Sequence, residues 1–251
     1  MTVIGALQIQ KAAFFSTRHA SAQDALAGRE RPFTAPAYSL LVGRARRFTS
    51  LVTQMHVEVC GALQPEAQHA LAVFATCHGE IQTCERLISD FRDTSMVSSA
   101  RFALSVHNTA SGVYSVATGS TAPTTTITGA NAVAAGWLEA ALTALEAERP
   151  VLLSIADEPV PAVFRGPSDA VGVAAAFLVS PAPADGTGAG AGCAAELVVA
   201  PGTDSAEGNL LHVLARTADA WARQQPATIA LGRIQPGAAL ELRLSPPEAA
   251  A

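Results

Sequence analysis

The sequence has almost no lysine: Lys11 stands alone beside 15 arginines in 251 residues. Aromatic residues make up 5% and charged residues 15%, with a net charge of −5 and an isoelectric point near 5.7. That acidic, sparsely charged balance excludes a nucleic-acid-binding footprint. Long hydrophobic runs are missing too. Stretches such as Val171 to Val179 are far too short to cross a bilayer, so no membrane span is expected. The opening MTVIGALQIQKAAFFS lacks a basic leader and carries its lysine inside the apolar stretch, so it reads as a first strand rather than a targeting signal. Four cysteines (Cys60, Cys77, Cys84, Cys193) show no paired spacing and read as reduced thiols of a cytoplasmic protein. No metal-ligand spacing occurs and no cofactor is implied.

What is present is material for a core: 49% of residues are hydrophobic, which excludes disorder over most of the length. The chain is expected to form a single domain over residues 1–251. Thr2 to Gln10 reads as a strand and Ala12 to Pro36 as an irregular connection. Apolar residues at Leu51, Val52, Met55, Val59 and Leu63 predict a helix ending before Pro65. Ala70 to Thr76 and Val151 to Ala156 are short apolar runs typical of buried parallel strands. Helices are predicted from Gly79 to Asp90, Ser105 to Ala117 and Asn131 to Glu148. Thr124 to Thr128 is a β-branched strand, and Val171 to Ser180 another buried one. Strands alternating with helices imply an α/β fold: a five-stranded, mostly parallel sheet with helices on both faces. Residues 181–251 add a strand (Glu196 to Ala200), an amphipathic helix (Leu210 to Arg223) and a strand (Leu240 to Leu244), expected to cover the sheet. Asp185 to Gly192 is a glycine-rich loop outside any strand–helix phosphate-binding context.

Two turns carry candidate chemistry. Thr128-Gly129-Ala130-Asn131 feeds a strand into a helix N-terminus, a layout that suits a nucleophile, yet Asn131 is no nucleophile; its side chain is expected instead to cap the helix by satisfying an orphan N–H. Cys77-His78-Gly79-Glu80 also follows a buried strand. As a functional group, Cys77 and His78 would give a weak acyltransferase. As structure, Gly79 permits the turn and Glu80 favours the helix start. Adjacent residues on extended backbone point apart, so Cys77 and His78 do not pair directly. His107 and Asn108 fit either a capped helix start or a pocket wall. Asp157-Glu158-Pro159 reads either as an acid pair at a ligand-binding strand end or as a solvated terminus. His56 and His69 read as ordinary helix and loop residues.

The order SVHNTASGVYSVATG, APTTTITGANAVAAGWLEAALTAL, VLLSIADEP and VGVAAAFLVS resembles the N-terminal half of β-ketoacyl synthases, over roughly Thr2 to Ser180. Within that family it is most similar to the short, chain-length-factor-like proteins of aryl-polyene and xanthomonadin-type pigment pathways. Arg46 to Met55, His78 to Glu80, Ser105 to Asn108 and Asp157 to Pro159 carry that likeness. The resemblance implies a thiolase-like half over residues 1–180 plus an extension over 181–251. It lays Ile127 to Ala132 on the nucleophile elbow, with Gly119, Pro123, Gly136 and Glu139 in frame, and puts Asn131 where the catalytic cysteine stands.

Two departures from the family follow. Asparagine cannot form an acyl thioester, and the second motif copy with its two histidines does not occur; the only later histidine is His212. The resemblance therefore implies a catalytically inactive partner of a β-ketoacyl synthase, serving an acyl chain on an acyl carrier protein. It places Thr124, Thr126, Thr128 and Gly129 at a sheet edge that pairs with the partner, and His107, Asn108 and Asn131 along a shared acyl tunnel. A stand-alone module binding acyl-CoA or acyl carrier protein, and a homodimeric scaffold, stay open as alternatives.

Overall fold

The computed structural model describes residues 1–37, 40, 41, 43, 48–64, 66, 67, 69–164, 171–183, 192–201 and 209–246. Arg46 of the early motif, nearly all of the glycine-rich loop and the tail after Pro246 lie outside the described residues.

The chain runs β1 (Thr2–Ser16), α1 (Ala22–Leu26), α2 (Leu51–Gly61), β2 (Leu71–Thr76), α3 (Ile81–Thr94), α4 (Ser99–Phe102), α5 (Thr109–Thr118), β3 (Thr124–Thr128), α6 (Ala132–Ala147) and β4 (Val151–Asp157). It continues through β5 (Val173–Pro181), β6 (Cys193–Pro201), α7 (Leu210–Arg223), β7 (Ala227–Gln235) and β8 (Ala238–Ser245). All the described strands join one sheet in the order β3-β2-β4-β5-β1-β6-β8-β7.

The expected five-stranded, mostly parallel sheet is corrected to an eight-stranded mixed one. Only β2–β3 and β2–β4 pair in parallel; β5 runs against both β4 and β1, and β6, β8 and β7 continue antiparallel. Fully apolar runs such as Val173–Pro181 predict burial on both faces, which either strand direction satisfies. The extension is also richer than a strand–helix–strand: β7 and β8 form a hairpin, and β6 pairs directly with β1. Strand β7 escapes notice because Gly232, at φ +133°, and two register shifts interrupt its alternation.

Two cores form because side chains alternate across the pleat. Val73, Ala75, Leu153, Ile155 and Phe177 face α6 and α7, meeting Trp137 and Leu214. Ala72, Phe74, Leu152 and Leu178 face α2 and α5, meeting Met55 and Tyr114. The alanine-rich face of α6 lets it lie close to the sheet. A side chain at Gly136 would stand 2.8 Å from the Ala75 Cβ, so glycine sets that approach. Helix α3 is anchored differently: only Leu87 of its 14 residues is buried.

Candidate functional site

Strands β2 and β3 are parallel neighbours, with Thr76 opposite Thr128. Their C-terminal turns therefore lie side by side, one entering α3 and the other α6.

The first turn is densely bonded. Gly79 adopts φ +59°, as the motif predicted, and its N–H donates to Thr76 Oγ1 at 2.9 Å. Asp157, at the end of β4, accepts from Thr76 Oγ1 at 2.8 Å, Cys77 N at 2.8 Å and His78 N at 3.0 Å. His78 Nδ1 stands 3.7 Å from the same carboxylate, an ion-pair distance longer than a hydrogen bond. Burial works to raise the Asp157 pKa, but His78 and these three donors outweigh it and hold the carboxyl below its usual value. The Asp157 carboxylate in turn raises the His78 pKa.

Glu80 and Glu158 sit beside this hub, both nearly inaccessible. Glu80 accepts from Thr53 Oγ1 at 2.5 Å and Thr83 Oγ1 at 3.2 Å. Glu158 accepts from Val52 N at 3.2 Å and Gln82 N at 2.9 Å, and so joins the N-termini of α2 and α3. Burial raises the Glu80 pKa against its hydroxyl donors. It pushes Glu158 up to about 7, with the neighbouring Glu80 adding to the rise.

Several expectations change here. Asp157 and Glu158 are buried rather than solvated. Glu80 makes no side-chain cap at α3; its carboxyl reaches the hydroxyls instead. Cys77 is no thiolate: burial, then the Asp157 charge, push its pKa up to about 12. Cys77 and His78 both turn to Asp157, with no Cys–His activation between them. His56 is a fully buried core residue bonded to Ser154 Oγ at 2.8 Å. Thr53 and Thr76 belong to this network and Ser154 holds His56 apart from it; single hydroxyls in apolar runs carry no spacing signal.

The second turn is bare. Gly129 takes φ +111°, and Asn131 begins α6 at φ −100°, ψ 19°. That is outside the extended region in which a side chain caps a helix, so the expected asparagine cap is absent. Asn131 is exposed and contributes its carbonyl to Ala135 N at 2.9 Å. Asn108 likewise precedes α5 without a side-chain cap. His107 is exposed, with its backbone packed against Gly79.

Strand β3 is the sheet edge, and its five residues pair with β2 without a register shift. Ala72 N bonds Pro123 O at 3.1 Å. In a parallel ladder with Ala72 opposite Thr124, residues 123, 125 and 127 then bond to β2, while the N–H groups of Thr124, Thr126 and Thr128 point out of the sheet. Thr126 Oγ1 donates to Ser111 Oγ at 3.3 Å, tying the edge to α5. Nearby, α5 lines an apolar groove of about 540 Å³ with Leu41, Leu104, Val106, Val113 and Val116. Asn108 and Thr109 lie in its wall, and the buried Thr109 hydroxyl has no partner among the described residues. No described group of three His, Cys, Asp or Glu could hold a metal. No described helix is long and apolar enough to cross a membrane.

The sequence model of the β-ketoacyl synthase N-terminal domain matches residues 18–232. The chain belongs to the β-ketoacyl synthase family. This ketosynthase-family chain is similar in structure to a ketosynthase (ApeO) in complex with its chain length factor (ApeC) from Xenorhabdus doucetiae. The TM-score is 0.72 at 17% identity, over 94% of this chain and 98% of that one. A type II polyketide synthase acyl-carrier protein in complex with its ketosynthase bound to the hexaketide (AntDE:AntF) gives 0.65 at 10% identity, over 96% and 99%. The ishigamide ketosynthase/chain length factor gives 0.51 at 13% identity, over 70% and 58%. These likenesses show the thiolase-like ketosynthase fold. A comparison with curated protein sequences finds no match.

Proposed function

We propose that this ketosynthase-family chain is a non-catalytic, chain-length-factor-like partner of a β-ketoacyl synthase, acting in the cytoplasm in aryl-polyene-type acyl-chain assembly on an acyl carrier protein. The observation that carries the reading is the β3 edge: three outward N–H groups on an uncharged, unbulged strand that ends at the bare Asn131 turn. An edge of this kind invites pairing, and a second subunit's strand would continue the sheet across it. Exposed Val116 on α5 and Ile88 and Phe91 on α3 supply apolar surface for such an obligate interface, which commonly buries about 2,000 Å² or more.

Asn131 stands where the family resemblance puts the nucleophile. A carboxamide nitrogen is not nucleophilic at neutral pH, and among the described residues no imidazole or carboxylate hydrogen-bonds it. The α5 groove, with His107 and Asn108 at the start of that helix, would form one wall of the acyl tunnel. Co-expression with a full-length ketosynthase, followed by purification through a tag on one chain, tests the reading. Recovery of both chains supports it. A lone chain that binds acyl thioester by itself would favour the stand-alone module, to which the same groove is suited.

A further inference from the structure

A cavity of about 630 Å³ opens beside β1. It is walled by Lys11 and Ala12 of that strand, by Ala62 and Leu63 just past the end of α2, and by Trp221 in the last turn of α7. That volume is usual for a small-molecule site. Lys11 lies level with Leu178, Leu152, Ala72 and Thr124 across the sheet, near the starts of β2, β3 and β4. The cavity is therefore remote from the turns that follow those strands, and three strands separate β1 from the β3 edge.

Two side chains that are rare in the sequence set its chemistry, the sole lysine and one of the two tryptophans. Among the described residues the lining holds no carboxylate and no ring besides Trp221. Lys11 Nζ pairs with Glu66 Oε1 at 2.5 Å. Glu66 follows Leu63 by three residues, so the ammonium reaches from the β1 wall toward the α2 wall at the cavity's rim. Both partners are well exposed, at 39% and 47%, and water screens such a pair until it contributes little. A ligand carboxylate therefore displaces Glu66 from the ammonium at small cost. The Trp221 indole N–H donates to Ile9 O at 3.0 Å, which fixes the ring against β1. Gln10 and Gln224 already donate, to Ser180 Oγ at 3.0 Å and to Trp221 O at 2.8 Å, and Gln224 Oε1 is itself buried. Lys11 is the one charged donor a ligand meets.

We propose that this cavity binds a planar aromatic monocarboxylate, with its carboxylate on the Lys11 ammonium and its ring against Trp221, Ala12 and Leu63. A fixed indole favours a flat partner, because stacked rings gain beyond the area they bury. One ammonium without an arginine suits a singly charged head better than a phosphate, which draws several donors. The assignment is independent of the partner-subunit reading, since the cavity lies away from both the β3 edge and the α5 groove and needs no second chain.

The test is calorimetric titration of the full chain with sodium 2-naphthoate at pH 7, with the Trp221 indole N–H resonance followed by NMR and assigned through Trp221→Phe. The expected result is saturable uptake of one naphthoate per chain and movement of that resonance. Lys11→Gln should weaken binding about fivefold, the range of one exposed charged contact, whereas Glu66→Gln, which frees the ammonium, should tighten it about twofold. Ala62→Trp, at an exposed position of the wall, should weaken it about tenfold or more by filling the cavity. Neutral 2-naphthamide should bind the unaltered protein about fivefold more weakly than naphthoate. Absence of saturable uptake overturns the proposal. So does uptake that is unchanged in Lys11→Gln but lost in Val116→Trp, because the acid would then lie in the α5 groove.

Discussion

The turns after β2 and β3 leave neighbouring parallel strands at the same end of the sheet, and each starts a helix, α3 lying largely exposed and α6 packed on the sheet. The first gathers Asp157, His78, Glu80 and Glu158 into a buried network with every carboxylate bonded. The second has only an exposed Asn131 with no side-chain hydrogen bond at the cap. The family resemblance puts the nucleophile position at the second turn. Here the charged groups of the first turn fasten α2, α3 and β4 together, while the second makes no such network. On the proposed reading, the difference means that the elbow keeps its geometry because the strand leading into it pairs with a partner.

The comparison breaks hardest at Asp157. Asp157→Ala leaves the Cys77 and His78 N–H groups and the Thr76 hydroxyl without their acceptor. It should destabilise the chain by about 3 kcal/mol or more, from unsatisfied buried donors, as read by chemical denaturation.

Next in size is a pH effect at Glu158. Its folded pKa, near 7, lies above the unfolded value of 4.5, so its contribution is complete below pH 4.5 and is lost as pH rises through 7. His56 opposes it: burial lowers its folded pKa to about 4 from 6.5, so stability falls as pH drops from 6.5 toward 4. Between pH 4.5 and 6.5 the two slopes offset each other. Glu80, its pKa also raised by burial, slopes the same way as Glu158. In Glu158→Gln one opposing contribution is removed, so stability should rise more steeply with pH across that interval than in the parent, by up to about 2–3 kcal/mol, as a denaturation series against pH would show.

At the second turn the expected changes are small. Asn131→Cys should yield no ketoacyl product from the chain alone, and intact mass spectrometry of the unaltered protein with an acyl thioester should show no adduct at Asn131. Asn131→Ala, which removes an exposed side chain without a cap bond, should alter stability by no more than about 0.5 kcal/mol.

Much of this arrangement was legible in the sequence. Val151–Asp157 and Leu71–Thr76 declare themselves as buried strands by their unbroken apolar runs. Gly79 and Gly129 mark turns that need positive φ. Asn131 falls at a helix start by simple order of elements. Strand direction was not legible, because an apolar run such as Val173–Pro181 satisfies a parallel or an antiparallel neighbour equally well. Nor was the burial of Asp157 and Glu158: an Asp-Glu-Pro strand end looks solvated until α2 and α3 bring their N-termini over it. The capping role expected of Asn131 and Asn108 failed for a local reason, since both adopt φ near −90° to −100° with ψ near 10–20°, where the side chain does not reach the N–H groups of the first turn.

The claim that β3 exists to pair with a partner is tested most directly by two proline variants one residue apart. Thr126 N–H points out of the sheet, whereas Ile127 N–H bonds to β2, so proline removes an outward donor in one case and a ladder bond in the other. Each variant would be co-expressed with the ketosynthase and pulled down through a tag on that partner. The account predicts that Thr126→Pro folds with near-parental thermal stability but no longer co-purifies, while Ile127→Pro fails to fold. Recovery of Thr126→Pro with the ketosynthase at the parental yield would contradict the edge-strand interface.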